Sequence, residues 1–366
     1  MKPSPKRIAY IIPGGMGTGK ENVGIPALER VIRLVAAKFD VTVFQLYPVN
    51  EGYRVEDVRL VPVYSTSRLV RNLKLLSVFR KAHSRERFDV VHGFWTLPCG
   101  LLAVILGKLL SVKSVISLQG GDAVSMPQMD YGQLRRWLPR KLAFWAMKRA
   151  DVLISPTHYL VDNLLKLGFR RPDIKLIPLG VDTSLFSFRG KQSLKKVEFL
   201  SVGNLHPVKD PFTLLATFRR IAARVDCHLT VIGEGPCEER LKMLAREWKI
   251  SDRISFLGLL PHHSLADYYH IADILLHTSC SEGHPIVVEE AMSCGVLVCG
   301  TRVGLIYDLK EACISAAVGD FESLASETLS VISDPKRMTM LRETARKWAH
   351  AHSIDWTVDQ LTIAYS

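Results

Sequence analysis

The chain has 366 residues, 48% hydrophobic and 23% charged, a globular composition with material for two or three packed domains. Its seven cysteines include no Cys-x-x-Cys pair, which argues against a disulfide scaffold and a structural zinc site and suits reduced thiols in a cytosolic protein. The net charge of +12 is unevenly spread: residues 1–180 hold 28 Lys+Arg against 13 Asp+Glu (net +15) and the remainder 20 against 23 (net −3), so the first half should meet an anionic partner such as lipid headgroups, a phosphorylated substrate or nucleic acid.

Taken in chain order, Lys2, Lys6 and Arg7 precede only a short apolar stretch, so no secretory signal is expected. The first β-branched run, Ile8–Ile12, leads into Pro13-Gly14-Gly15-Met16-Gly17. Such a loop is either a plain tight turn or a place where backbone approaches a ligand, with Gly15 as the candidate. A helix is expected over Ala27 to Phe39, with Leu28, Val31, Ile32 and Val35 on one side. Further strands are expected at Val41–Leu46, Leu60–Val63, Asp89–His92, Ser114–Leu118, Val152–Ser155 and Ile174–Ile177. The uncharged run Gly93 to Gly107 falls short of the ~20 residues of a membrane span and contains Pro98 and Gly100, so it reads as a buried helix or one dipping into a membrane surface.

Two stretches of this half mix cations with apolar and aromatic residues at helical spacing. One holds Arg68, Arg71, Lys74, Arg80, Lys81, Arg85 and Arg87 with Leu69, Leu73, Leu76 and Phe79. The other holds Arg135, Arg136, Trp137, Arg140, Lys141, Trp145, Lys148 and Arg149. They read either as solvated amphipathic helices packing their apolar faces inward or as peripheral helices on an anionic membrane. No recognition motif accompanies the charge, so nucleic acid is disfavoured.

A polar stretch, Thr183 to Lys196, then precedes a second set of strands at Val197–Val202, Leu229–Ile232, Ile254–Leu257, Ile274–His277 and Val296–Cys299, and two helices broken near His352 close the chain. Alternating strand and helix implies parallel sheets covered on both faces. The expected architecture is α/β, two Rossmann-like doubly wound domains facing a central cleft: 1–183, a linker at 184–196, 197–350, and a final helix 351–366 returning to the first domain.

The segment with most chemistry is Ser279-Cys280-Ser281-Glu282-Gly283-His284-Pro285-Ile286-Val287-Val288-Glu289-Glu290-Ala291-Met292-Ser293-Cys294-Gly295. Proline at the first helical position and glycine at the end delimit a helix. Its start, Gly283 to Ile286, offers backbone N–H groups where the dipole favours an anion such as a diphosphate. Glu282 and Glu290 can accept hydrogen bonds from sugar hydroxyls, although a lone glutamate in such a place is more often solvated. Earlier, Val202-Gly203-Asn204-Leu205-His206-Pro207-Val208-Lys209-Asp210 follows a strand. Lys209 is either an ordinary surface lysine or the cation that neutralises a leaving diphosphate.

These segments resemble the Glu-x7-Glu signature and the Gly-Arg-Leu-x-x-x-Lys-Gly loop of retaining glycosyltransferase family 4, which has the GT-B fold. His284 stands at the usual aromatic position and Asn204 in place of the arginine. Ile232-Gly233-Glu234-Gly235-Pro236, Ser155-Pro156-Thr157-His158, Ile177-Pro178-Leu179-Gly180-Val181-Asp182 and the stretch from Asp320 to Pro335 resemble family turns in the same order. The resemblance implies that Glu290 holds the donor ribose, that Glu282 sits near the transferred sugar with Glu289 as its outward neighbour, and that Lys209 acts on the diphosphate. Gly15, Asn204, Gly283, His284, Pro285 and Ile286 would complete the donor site.

His92 matches a position on the acceptor side, where a satisfied structural histidine is equally compatible. Ser117-Leu118-Gln119-Gly120-Gly121-Asp122 lies where the family often has His-Gly-x-Asp, so no general base is assigned to Gln119, and Asp122 either orders the loop or faces acceptor. No Asp-x-Asp pair occurs, which fits a mechanism without metal or cofactor. The expectation is a metal-independent, retaining hexosyltransferase using a UDP- or GDP-type sugar and a glycan or lipid-linked acceptor, cytoplasmic or peripheral on the inner face of a membrane, as in cell-surface polysaccharide synthesis. The rivals are a nucleotide-sugar epimerase on the same fold and a non-catalytic binding subunit, the latter favoured by Asn204 and Gln119.

Overall fold

Strands buried on both faces need helices above and below, and the alternation of element types provides them. The computed structural model describes residues 6–19, 24–190 and 196–366. They form two compact units, one running to Leu179 and including Asp355–Ser366, the other spanning Gly180–Ile354.

The first unit is built on β1 (Arg7–Ile12), β2 (Asp40–Gln45), β3 (Arg59–Pro62), β4 (Val90–Phe94), β5 (Lys113–Ser117), β6 (Val152–Ser155) and β7 (Lys175–Leu176). All pair in parallel, in the order β3-β2-β1-β4-β5-β6-β7. The helix Pro26–Ala36 buries Leu28, Val31, Ile32 and Val35, its whole apolar stripe. The uncharged run becomes a short irregular turn at Thr96–Gly100 and the helix Leu101–Leu110, which buries Leu102, Ala103, Val104 and Leu106. Among the described residues no helix is long and apolar enough to cross a membrane.

The second unit repeats the plan with β8 (Val197–Val202), β9 (Cys227–Ile232), β10 (Ile254–Phe256), β11 (Ile274–His277), β12 (Leu297–Thr301) and β13 (Cys313–Ala316), ordered β10-β9-β8-β11-β12-β13. The strand β13 is absent from the sequence expectation, because Cys-Ile-Ser-Ala is short and its apolar run is broken by Ser315. Of the expected linker, 191–195 lie outside the described residues. The part before them packs on the second unit: Phe186 is buried and its carbonyl accepts a 2.5 Å hydrogen bond from Ser293 Oγ.

The last helix, Ile354–Tyr365, completes the core of the first unit. Tyr365 Oη is 2.7 Å from Tyr10 Oη and 2.8 Å from His92 Nδ1, and His92 Nε2 is 2.8 Å from Ser117 Oγ. One buried chain of hydrogen bonds therefore ties the C-terminal helix to the adjacent strands β1, β4 and β5. This corrects the acceptor-side assignment of His92: the side chain is fully buried and both ring nitrogens are engaged, and burial pushes its pKa down to about 3.

A folded His92 that stays neutral makes stability fall in acid. Unfolded histidine takes up a proton below about pH 6.5, whereas the folded one resists until near 3. Lowering the pH from 8 to 5 should therefore cost on the order of 2 kcal/mol. Urea unfolding across this range checks it; His92→Gln should flatten the slope, and an unchanged slope would contradict the assignment.

Candidate functional site

Ligands of open parallel sheets sit beyond the carboxyl ends of the strands, where the strand order reverses. In the second sheet that point lies between β8 and β11. The loop after β8 carries Lys209 and the loop after β11 carries Glu282. The two loops are laced together: Cys280 N–H donates to the Val208 carbonyl at 2.8 Å, and Thr278 Oγ1 donates to the Asp210 carbonyl at 2.9 Å. Asp210 also caps the helix Pro211–Ala222 through the N–H and hydroxyl of Thr213.

Three donors converge on one oxygen. Glu282 Oε1 lies 2.5 Å from Lys209 Nζ, 2.6 Å from Ser279 Oγ and 3.0 Å from His277 Nε2. The glutamate is buried while Lys209 stays about one-third exposed, its side chain at 32%. Burial by itself raises the Glu282 pKa, but the Lys209 charge and the His277 hydrogen bond outweigh it and hold the carboxyl well below the usual range. The lysine is thus fixed at the strand ends with part of its surface open, beside a pocket that Gly203, Asn204 and Thr278 also line. Asn204 is exposed there.

Two glycines make the loop geometry possible. Gly233 has φ +133°, and a Cβ there would come within 2.1 Å of the Gly203 carbonyl, so the turn after β9 packs backbone to backbone under the Asn204 loop. Gly304 has φ +53°, and its Cβ would fall 2.8 Å from Glu282 Cβ, so the chain after β12 closes against the Glu282 loop. Thr301 Oγ1 fastens the same side by donating to the Ser279 carbonyl at 2.6 Å.

The helix runs Ile286–Ser293 with Pro285 at the cap, one position earlier than its expected place at the first helical residue. The His284 side chain is buried, at 2% exposure, although the residue as a whole is half-exposed, so its open part is main chain. The helix start therefore presents main chain of His284 rather than its imidazole. Glu289 is not the outward neighbour: it is fully buried, with Oε2 2.9 Å from His284 Nε2, although the pair lacks hydrogen-bond alignment. Glu290 is also buried, with Oε1 2.6 Å from His262 Nε2 and Oε2 accepting from Tyr269 Oη at 2.8 Å. Each carboxylate oxygen has a second lone-pair direction, so these contacts orient the group without exhausting it.

Lys209 and Glu282 are thus brought together, and Asn204, Gly283, His284, Pro285, Ile286 and Glu290 lie on the loops and helix of the same unit. Gly15, His92, Gln119 and Asp122 belong to the first unit. Gly15 has φ +123° and its loop is clamped by buried Gln45, which bonds both N–H and C=O of Met16 at 3.1 and 3.0 Å. Asp122 is fully buried and accepts from Thr96 N–H and Oγ1 and from the N–H groups of Gln119 and Gly120, which makes it a loop-ordering residue. Gln119 is partly exposed as a residue. The supports His262, Tyr269, His277, Ser279 and Gln45 escaped the sequence reading as site residues. A histidine ending a strand just before the Glu282 segment was the available signal for His277.

The His284–Glu289 pair is open to a direct test. Removing one partner leaves an uncompensated buried group and should cost about 3–5 kcal/mol. The double change His284→Phe with Glu289→Leu, of similar volume and apolar, should recover most of that loss in urea unfolding. A double variant as unstable as the worse single variant would show that the two are not coupled.

Residues 27–185 match the family model described as Glycosyltransferase Family 4, and residues 183–348 match Glycosyl transferases group 1. The chain is 25% identical over 292 residues to the N-acetyl-alpha-D-glucosaminyl L-malate synthase of Bacillus anthracis, covering 75% of this chain and 74% of that one. It is 28% identical over 313 residues to the D-inositol 3-phosphate glycosyltransferase of Mycolicibacterium smegmatis, covering 78% and 68%. Its fold resembles sucrose-phosphate synthase from Thermosynechococcus elongatus, with TM-score 0.80 and 20% identity over 98% of each chain. It also resembles Anabaena HepE in complex with UDP and glucose, with TM-score 0.76 and 17% identity over 98% and 99%. The two sheets are the Rossmann-like halves of a GT-B enzyme, and the chain belongs to glycosyltransferase family 4.

Proposed function

We propose that this glycosyltransferase moves a hexose from a UDP- or GDP-type sugar to a glycan or lipid-linked acceptor, with retained anomeric configuration and without a metal ion, as in cell-surface polysaccharide synthesis. The observation that carries the reading is the Lys209–Glu282 pair at the reversal point of the second sheet, with a helix start four residues further on. The HepE complex with UDP and glucose supports a nucleotide sugar as donor.

In this reading the second unit binds the donor and the basic first unit the acceptor. The bond from the anomeric carbon to the diphosphate breaks with its electron pair going to the phosphate oxygen. The acceptor hydroxyl oxygen bonds to the same face of that carbon, and its proton passes to the departing diphosphate. Negative charge grows on the leaving group, where the Lys209 ammonium and the N–H groups at the start of the helix offset it. Glu290, oriented by His262 and Tyr269, holds the ribose hydroxyls, and Glu282 lies beside the transferred sugar. Asn204 supplies an N–H but no charge, so the phosphate clamp rests chiefly on Lys209. Catalysis would take place in the cytoplasm or at the inner face of the membrane.

A thermal-shift screen with UDP, GDP and ADP sugars identifies the donor. With that donor, Lys209→Met should lower kcat by about 10²- to 10³-fold. Glu290→Gln should weaken donor binding by about 10- to 100-fold. Normal turnover and donor affinity in both variants would refute the assignment. NMR of the product decides the anomeric outcome, and a new sugar formed without any acceptor would indicate an epimerase.

A further inference from the structure

We infer that the helix Trp137–Arg149 is a docking surface for an anionic lipid bilayer, whichever sugar the enzyme transfers. A helix covering a sheet normally buries its large apolar residues and shows polar ones. This one does the reverse: it buries Ala143, Ala146 and Met147 and exposes Trp137 at 69%, Leu138 at 50% and Leu142 and Trp145 at 41% each. The expectation that its apolar residues pack inward therefore fails for the largest of them.

The exposed positions fall on one stripe. At 100° per residue, 137, 138, 141, 142, 145, 148 and 149 lie within about 140° of each other. Lys141, Lys148 and Arg149 occupy this same stripe, with Lys141 Nζ 5.3 Å from the centre of the Trp137 ring. The helix contains no carboxylate. Of the acids flanking it in sequence, Asp130 is paired with Arg135 and Asp151 accepts from Ser114. Two indoles, two leucines and three cations that form no ion pair among the described residues match the boundary of a bilayer with negative headgroups, where tryptophan sits at headgroup depth and lysine reaches phosphate.

The surface extends beyond one helix. Successive right-handed crossovers from β3 to β4, β5 and β6 place three helices on one face of the first sheet. The middle one, Leu101–Leu110, touches both neighbours and exposes Leu109. The preceding helix, Arg68–Arg85, exposes Leu69, Val70 and Leu73 beside Arg68 and Lys74, and it too contains no acid.

The test is flotation of the intact protein with vesicles of phosphatidylcholine alone or with 30% phosphatidylglycerol. Binding is expected to the anionic vesicles only and to fall with salt. The triple change Lys141→Glu, Lys148→Glu and Arg149→Glu should weaken it on the order of 100-fold. Trp137→Ser with Trp145→Ser should abolish it, while unfolding temperature and donor-induced thermal shift stay at wild-type values. These residues lie outside the donor machinery, so loss of vesicle binding with an intact donor shift separates this inference from the functional reading. No binding by the wild-type protein, binding that survives both sets of changes, or capture of duplex DNA or RNA in preference to vesicles would overturn it.

Discussion

One oxygen atom organises the second unit. Glu282 Oε1 receives an ammonium, a hydroxyl and an imidazole from three points of the chain, and by doing so fixes where the loops after β8 and β11 end. A carboxylate taken out of water is tolerable only when it is paired and hydrogen-bonded. The partial exposure of Lys209 leaves the cation facing solvent on one side even as it stabilises the loop. In the proposed reaction, preorganisation of this kind would fix the geometry before the donor arrives, so that the reaction need not supply the reorganisation energy.

The same arrangement recurs through the scaffold. Both sheets reverse order between their first and fourth strands, and each reversal carries a glycine-bearing loop held by buried neighbours. In the first unit Gln45 grips the main chain of Met16, and Asp122 gathers the N–H groups of its own turn together with the N–H and hydroxyl of Thr96. In the second unit, close packing at Gly233 and Gly304 works together with such side-chain clamps, from Thr278 and Thr301. These supports lie one layer behind the loops, and they set the directions in which the site side chains point.

The β1 strand was legible because a parallel strand buried on both faces appears as an unbroken apolar run, here Ile8–Ile12, and the helix after Glu282 because proline and glycine mark its ends. Ile286–Ser293 therefore lies within one residue of its expected start. Contacts between residues distant in sequence were not legible. Glu290 meets partners 28 and 21 residues away, His262 and Tyr269, and local spacing carries no trace of such pairings. Glu289 was misread because an acidic residue on a helix ordinarily turns to water; here a histidine five residues earlier is buried with it. For His92 the residues left two readings open, and only the position of Tyr365 decides between them.

That tyrosine also bears on the order of assembly. The second unit is continuous in sequence, whereas the first draws its final core helix from the other end of the chain. Domains generally form in the order in which the ribosome delivers them. Here the strands made first cannot bury Tyr10 against its partner until residue 365 has emerged, so the segment synthesised second can complete its core before the segment synthesised first.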